Sequence, residues 1–262
     1  MNSLKALAAI VCGVIIVTSA WAQTGEVYSL NVVGFQKVSV KDASKPYTMS
    51  STPFLATNAN INQVIGPQLY GSNTFDNSDD ILVWIATNQQ YKKYYLLGNV
   101  GDTNYNNKWI DYTTGEVATN ANITPGMGFW VRGRAAVTQT VVFAGDVVDA
   151  AAVTNPVITG YQILAYPYST AIGINQMAFT NQGFGSNTYD NSDNLMLWIP
   201  TDQQYKKFYL LGNVGDTNYN NRWIDYTAGA VATNVVPPGQ AFWYRHRGSP
   251  FNWVETKPYT VP

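Results

Sequence analysis

The chain has 262 residues and a formal net charge of −1; only 12% of its residues are charged, whereas 14% are aromatic. This composition offers no basic surface that could collect phosphates, which argues against a nucleic-acid partner. Cys12 is the only cysteine, so an internal disulfide framework is excluded.

The first 22 residues predict a secretory signal peptide. Lys5 supplies a positive start, residues 6–17 form an apolar run, and residues 20–22 (AWA) match a small-residue cleavage site. The apolar run is shorter than the roughly 20 residues that a spanning helix needs. We therefore expect export to the periplasm, the cell surface or the medium, with no membrane span in a mature chain that starts at Gln23.

An internal repeat follows. Residues 71–120 match residues 185–234 without a gap, and 39 of these 50 positions are identical. Two alignments are possible further upstream. In the first, residues 161–168 match residues 47–54, which keeps the offset of 114 positions. In the second, residues 160–162 match residues 34–36. Two copies are too few for an open solenoid. We predict two copies, at residues 23–150 and 151–262, as two globular domains or as two halves of one pseudo-symmetric unit.

Apolar residues within each copy alternate with a period of two, which is typical of β-strands. The predicted strands of the first copy are 81–85, 91–97, 108–112, 128–132 and 137–143. Asn60, with Gln63 three residues later, predicts one helical turn over residues 60–65. The expected fold class is all-β, with two tandem homologous antiparallel β-sandwich or barrel-like domains, each with at most one short helix.

A polar loop in each copy carries oxygen-bearing side chains at alternate positions. These residues are Asp102, Asn104, Asn106, Asp216, Asn218 and Asn220. Calcium binds several such oxygens at about 2.4 Å, so the loops are candidate calcium sites of a calcium-stabilised adhesion module. In the alternative interpretation, the Asp and Asn side chains bond their own backbone and build tight turns.

Each copy also places tryptophan and a charged residue two positions apart, on one side of a strand. These residues are Trp109, Asp111, Trp130, Arg132, Trp223, Asp225, Trp243 and Arg245. Indole rings beside guanidinium groups and carboxylates can bind sugars, which makes this set a candidate glycan site. The alternative is core or interdomain packing, with arginine stacked on tryptophan.

Few residues could support catalysis. His246 is the only histidine, and its arginine neighbours favour a surface loop with a neutral imidazole. Hydrolysis by paired carboxyls would need a partner for Asp111 or Asp225 that the sequence does not identify. No phosphate-binding or dinucleotide-binding glycine pattern is present, so we expect neither catalysis nor an organic cofactor.

Four short elements resemble an uncharacterised family of secreted bacterial β-proteins. They are residues 31–35 (NVVGF), 125–130 (PGMGFW), 238–243 (PGQAFW) and 257–259 (KPY). The resemblance implies secretion and no established activity. We expect a secreted, non-catalytic protein that either binds a glycan or envelope component through two near-equivalent copies or has a structural role. A glycan-active hydrolase using an aspartate is the alternative of a different class.

Overall fold

A computed structural model gives the structure of residues 32–98, 100–212 and 214–260. The predicted signal peptide and its cleavage site lie outside these residues. Strands dominate the described part of the chain, and every strand pairing in it is antiparallel, so the all-β class is confirmed. No helix among the described residues is long and apolar enough to span a membrane.

The first half contains eight strands and one α-helix. They are β1 (Val33–Val40), β2 (Tyr47–Ser51), β3 (Phe54–Leu55), α1 (Ile61–Val64), β4 (Asp80–Ile85), β5 (Gln90–Leu96), β6 (Trp109–Asp111), β7 (Gly128–Arg132) and β8 (Gln139–Val147). One sheet has the order β2-β7-β4-β5-β6 and the other β1-β8-β3. The five predicted strands are confirmed, although β8 begins two residues later than predicted and ends four residues later.

The second half repeats the larger sheet. Its strands are β9 (Ala152–Val157), β10 (Gly160–Ala165), β11 (Ile172–Gly173), β12 (Asn194–Ile199), β13 (Gln204–Leu211), β14 (Arg222–Asp225), β15 (Val235–Val236), β16 (Ala241–His246) and β17 (Phe251–Thr256). The order β10-β16-β12-β13-β14 corresponds strand by strand to the first large sheet, and the pairs β9–β17 and β11–β15 accompany it.

The register of the sheets decides between the two upstream alignments. Tyr47 pairs with Arg132 in the first half, and Tyr161 pairs with Arg245 in the second. Since Arg132 and Arg245 correspond in the repeat, so do the two tyrosines. The alignment of residues 47–54 with 161–168 is therefore confirmed.

The predicted helical turn begins at Asn60. Its side-chain Oδ1 accepts a hydrogen bond of 2.9 Å from the backbone N–H of Asn62, which caps the helix, and Ile61 and Val64 are buried. Short 3₁₀ helices add more helical residues than expected. They lie at Phe75–Asn77, Ile174–Gln176, Ala178–Asn181 and Tyr189–Asn191.

Each half has its own hydrophobic core on the inner face of its large sheet. Equivalent residues in the two cores include Ile81 and Leu195, Trp109 and Trp223, and Phe129 and Phe242, all of them at most 1% exposed. Because successive side chains of a strand point to opposite faces, the outer faces of these sheets are left for other contacts.

The predicted two-domain organisation is not confirmed, because the described residues form one compact unit. Every described sheet nevertheless takes all its strands from one half. The backbones of the two halves also bond each other twice in equivalent places. Ser51 donates its N–H to the carbonyl of Gly239 at 2.9 Å, and Ala165 donates to Gly126 at 3.0 Å. This arrangement corresponds to two halves of one pseudo-symmetric unit.

Candidate functional site

The outer faces of the two large sheets meet in a cluster of eight aromatic residues, which we call the aromatic seam. They are Tyr47, Trp84, Tyr91, Trp130, Tyr161, Trp198, Tyr205 and Trp243. The sequence produces the seam because β4 and β12 are apolar on both faces. In β4, Ile81 and Val83 enter the core while Leu82 and Trp84 point outward to the seam.

The rings of the seam make the same contacts twice. Trp130 meets Trp198 with centroids 5.0 Å apart and an interplanar angle of 84°, and Trp84 meets Trp243 at 5.0 Å and 77°. Both contacts are edge-to-face, a favoured geometry for aromatic pairs. Each contact joins one half to the other, so the seam has a pseudo-two-fold axis.

Directional hydrogen bonds follow the same symmetry. Trp84 donates its indole N–H to the carbonyl of Tyr161 at 2.7 Å, and Trp198 donates to the carbonyl of Tyr47 at 2.9 Å.

Two glutamines add to these bonds. Gln89 accepts from the N–H of Tyr161 and donates to its carbonyl, both at 3.0 Å, and Gln203 bonds Tyr47 in the same way at 3.2 and 3.0 Å. Side chains of each half thus bind the edge strand of the other, which fixes their relative position.

Two open grooves remain between the rings. The first groove encloses about 360 Å³ and is lined by Tyr47, Leu82, Tyr91, Trp130, Trp198 and Tyr205. The second encloses about 380 Å³ and is lined by Trp84, Tyr91, Tyr161, Met196, Tyr205 and Trp243. Tyr91 and Tyr205 line both grooves, so the grooves are neighbours. Their volumes lie in the lower part of the range of small-molecule sites.

Two tyrosines are the most exposed residues of the grooves. Tyr91 and Tyr161 are each 37% exposed, whereas Trp130 is 4% and Trp243 8% exposed. Burial raises the pKa of Tyr205 to about 12, although the hydrogen bond from Trp243 acts in the opposite direction. Since the indole N–H of Trp243 donates to the Tyr205 hydroxyl at 3.0 Å, the phenolic proton is left to donate to a ligand.

The tryptophans predicted to bind glycan divide into two groups. Trp130 and Trp243 belong to the seam, whereas Trp109 and Trp223 are 0% exposed. Trp109 donates its indole N–H to the carbonyl of Gly66 at 2.9 Å, and Trp223 donates to the hydroxyl of Thr180 at 3.0 Å. Trp109 and Trp223 are therefore core residues with no ring face open to a sugar.

The two predicted aspartates lie in ion pairs. Asp111 contacts Lys92 at 3.0 Å, and Asp225 contacts Lys206 at 3.0 Å. Burial opposes ionisation of both carboxyls, but backbone N–H groups and the lysines outweigh it and lower the pKa of each. A carboxyl with a lowered pKa is a poor proton donor for glycoside hydrolysis.

The two predicted arginines differ in their partners. Arg132 is bonded to the carboxylate of Asp80, with Nε at 2.7 Å and Nη2 at 2.5 Å from Oδ2. Arg245 faces Asn194 at the equivalent position, and its guanidinium lies 5.1 Å from the ring centroid of Tyr161.

In the candidate calcium loops, side-chain oxygens of four of the six predicted residues bond the loop backbone. Asp102 Oδ1 accepts from the N–H of Asn104 at 2.9 Å, and Asp216 Oδ1 accepts from Asn218 at 2.9 Å. These bonds are those of Asx turns. Asn106 and Asn220 accept bonds from the N–H groups of residues 100 and 214. No group of three or more His, Cys, Asp or Glu within the described residues could hold a metal, and calcium binding stays a prediction.

The predicted surface position of His246 is wrong, since the residue is 2% exposed. Its Nδ1 lies 2.9 Å from Asp193 Oδ2, and its Nε2 lies 2.8 Å from the carbonyl oxygen of Ser249. Burial disfavours a charge on the imidazole, but the bonds to Asp193 and Ser249 outweigh it and raise the pKa of His246. Sequence reasoning missed this pair because Asp193 lies 53 positions away.

The sequence analysis also missed six seam residues as site residues: Tyr47, Trp84, Tyr91, Tyr161, Trp198 and Tyr205. Their signal was the recurrence of aromatic residues at outward positions of paired strands in both copies. The resemblance to an uncharacterised secreted family stays a prediction from the short motifs. Comparison of the chain with protein-family models, curated proteins and solved structures found no match.

Proposed function

We propose that this protein is an exported, non-catalytic glycan-binding protein that takes sugar rings in the two grooves of the aromatic seam. The observation that carries the proposal is that one groove design occurs twice, with three tyrosines and two tryptophans at equivalent positions in each groove.

The chemistry of the groove walls suits a sugar. Aromatic faces pack against the apolar C–H face of a pyranose ring, and tyrosine hydroxyls provide hydrogen bonds at the edge of the same ring. Tyr91 and Tyr161 expose enough of their rings for such stacking. The neutral phenol of Tyr205 supplies a donor.

The adjacency of the grooves favours an oligosaccharide over a single sugar. Because Tyr91 and Tyr205 line both grooves, successive units of one chain can occupy them together. Two linked weak contacts then give an affinity well above that of either contact alone.

A purely structural role is the second candidate. It is favoured by the burial of Trp130 and Trp198 at 4% and 9% exposure and by the indole hydrogen bonds across the seam. In this case the grooves are spaces left between rings whose only task is to hold the halves together.

Tryptophan fluorescence distinguishes these candidates. We would titrate the purified protein with neutral cello-, xylo- and chito-oligosaccharides and compare it with Tyr161→Ala, which removes a ring of the second groove. Tyr226→Ala is the matched control, since Tyr226 is 56% exposed and lines neither groove.

We expect saturable binding of one oligosaccharide class by the wild type and the control, and about tenfold weaker binding by Tyr161→Ala. Saturable binding that Tyr161→Ala leaves unchanged would place the ligand outside the second groove and contradict joint occupation of both grooves. Absence of binding to the wild type across the panel would favour the structural role.

A further inference from the structure

We propose that the second groove prefers a sugar that carries a carboxylate, such as a uronic acid unit of an acidic glycan, and that Arg245 binds this carboxylate. The proposal rests on the proposed function, because it assigns the ligand class of one of the two grooves. It arises from the difference between the two halves at the residue that faces this arginine, which is Asp80 in the first half and Asn194 in the second.

Arg245 lies beside the second groove. It follows Trp243 by two positions on β16, so both side chains lie on the same face of the sheet. Arg245 also pairs in register with Tyr161, and its guanidinium is 5.1 Å from the centroid of that ring. Trp243 and Tyr161 both line the second groove. The guanidinium is thereby held next to a ring on which a sugar could stack.

The equivalent arginine of the first half is already neutralised. Asp80 lies opposite Arg132 on the neighbouring strand and bonds its guanidinium. Asn194 takes the place of Asp80 in the second half, and its side-chain NH2 donates to the carbonyl of Tyr189 at 2.8 Å. None of the ion pairs among the described residues includes Arg245.

Other charges near the grooves do not account for this difference. Lys93 pairs in register with Leu82 beside the first groove, and Lys207 pairs with Met196 beside the second. Asp76 of the first copy has an identical counterpart, Asp190, in the second. The replacement of Asp80 by Asn194 therefore leaves Arg245 without the carboxylate that neutralises Arg132. A guanidinium binds a carboxylate through two parallel N–H bonds, which makes an acidic sugar the complementary ligand.

The test uses a matched pair of ligands, a cello-oligosaccharide and the corresponding cello-oligouronate, in which a carboxylate replaces the hydroxymethyl group of each unit. Affinities are measured by calorimetry at about pH 7.5, where a group whose pKa is near 6 is ionised. Burial raises the pKa of Asp80 to about 6 against the effect of Arg132, so Asp80 is a carboxylate under these conditions.

We expect the wild type to bind the uronate about tenfold more tightly than the neutral chain, with a preference that declines as salt is added. Asn194→Asp gives Arg245 the partner that Arg132 has. It should remove the preference and leave binding of the neutral chain unchanged. Asp80→Asn frees Arg132 and should increase the preference.

Arg245→Gln is a further variant that does not bury a new charge, and it should lose the preference as well. If the wild type binds both ligands equally, or if Arg245→Gln keeps the preference, the assignment of Arg245 is overturned while the proposed function stands. If neither ligand binds the wild type, this inference fails and cellulose-like chains are excluded as ligands. The wider panel of neutral oligosaccharides then decides the proposed function separately.

Discussion

The indole ring of Trp130 lies edge-on to that of Trp198, with their centroids 5.0 Å apart across the aromatic seam. Trp198 also donates its N–H to the carbonyl of Tyr47 in the other half. Replacing Trp198 by alanine removes both interactions and opens a cavity. We expect Trp198→Ala to lower the free energy of unfolding by about 3–5 kcal/mol in chemical denaturation.

Two comparisons make this measurement specific. Trp198→Phe keeps a ring but removes the indole donor, while Gln203 still donates to the Tyr47 carbonyl, so it should cost about 0.5–1.5 kcal/mol. Tyr226→Ala alters an exposed ring outside the seam whose ring contact is with Tyr189, so it should cost no more than about 1.5 kcal/mol. If Trp198→Ala is as stable as Tyr226→Ala, the seam does not hold the halves together.

The pseudo-two-fold symmetry predicts how one half behaves alone. A fragment of residues 148–262 includes all of β9 and Val148, whose carbonyl accepts a bond from Tyr259 at 2.8 Å. A fragment that started at residue 156 would cut β9. Since the seam positions of the two halves carry the same aromatic types, two copies of the fragment can rebuild the seam as a symmetric interface. We expect a folded β-rich dimer by circular dichroism and light scattering.

Trp243→Ala within the fragment provides the control. It removes a seam ring that contacts the other half, so the fragment should then be monomeric while its circular dichroism spectrum stays β-rich. An unfolded fragment would show that each half needs the other to fold. A folded monomer that shows no tendency to associate would contradict the symmetric interface.

His246 gives the stability a predictable pH dependence. Both ring nitrogens face oxygen acceptors, the Asp193 carboxylate and the Ser249 carbonyl, so the protonated imidazolium satisfies both. A histidine pKa that is raised in the folded state stabilises the protein fully below the unfolded pKa of about 6.5. That contribution is lost as the pH rises through the folded pKa. The hydroxyl of Tyr244 also bonds Asp193, at 2.6 Å.

The first half shows that a glutamine can bond the equivalent aspartate, which makes His246→Gln a suitable variant. Gln139 donates to Asp79 Oδ2 at 2.5 Å, the role that His246 has toward Asp193. We expect His246→Gln to fold and to lose the part of the pH dependence that His246 contributes. The difference in the free energy of unfolding between wild type and variant should shrink as the pH rises from 5 toward 9. A difference that grows with pH would contradict a raised pKa for His246.

Much of the fold could be predicted because its signals are local. Alternating apolar residues predicted β4, β5 and β7 nearly to their ends, and the gapless repeat predicted which residues of the halves correspond. The choice of partners across the seam is not local. Trp84 bonds a backbone carbonyl 77 positions away, and no spacing in the sequence encodes that approach.

The candidate site was predicted in part for the same reason. Trp130 and Trp243 were named because tryptophan and arginine share a strand face, and both line grooves. The same pattern also selected Trp109 and Trp223, which enter the cores. Which face of a doubly apolar strand enters the core depends on what covers the sheet, and the sequence pattern does not contain that information.

Indole N–H signals in a proton–nitrogen correlation NMR spectrum test the binding of sugar in the seam most directly. Adding the oligosaccharide identified by fluorescence should shift the signals of the four seam tryptophans, Trp84, Trp130, Trp198 and Trp243. The signals of the core tryptophans, Trp109, Trp223 and Trp253, all 0% exposed, should stay in place. Saturable binding that leaves the four seam signals unmoved would contradict the proposal that the aromatic seam is the glycan site.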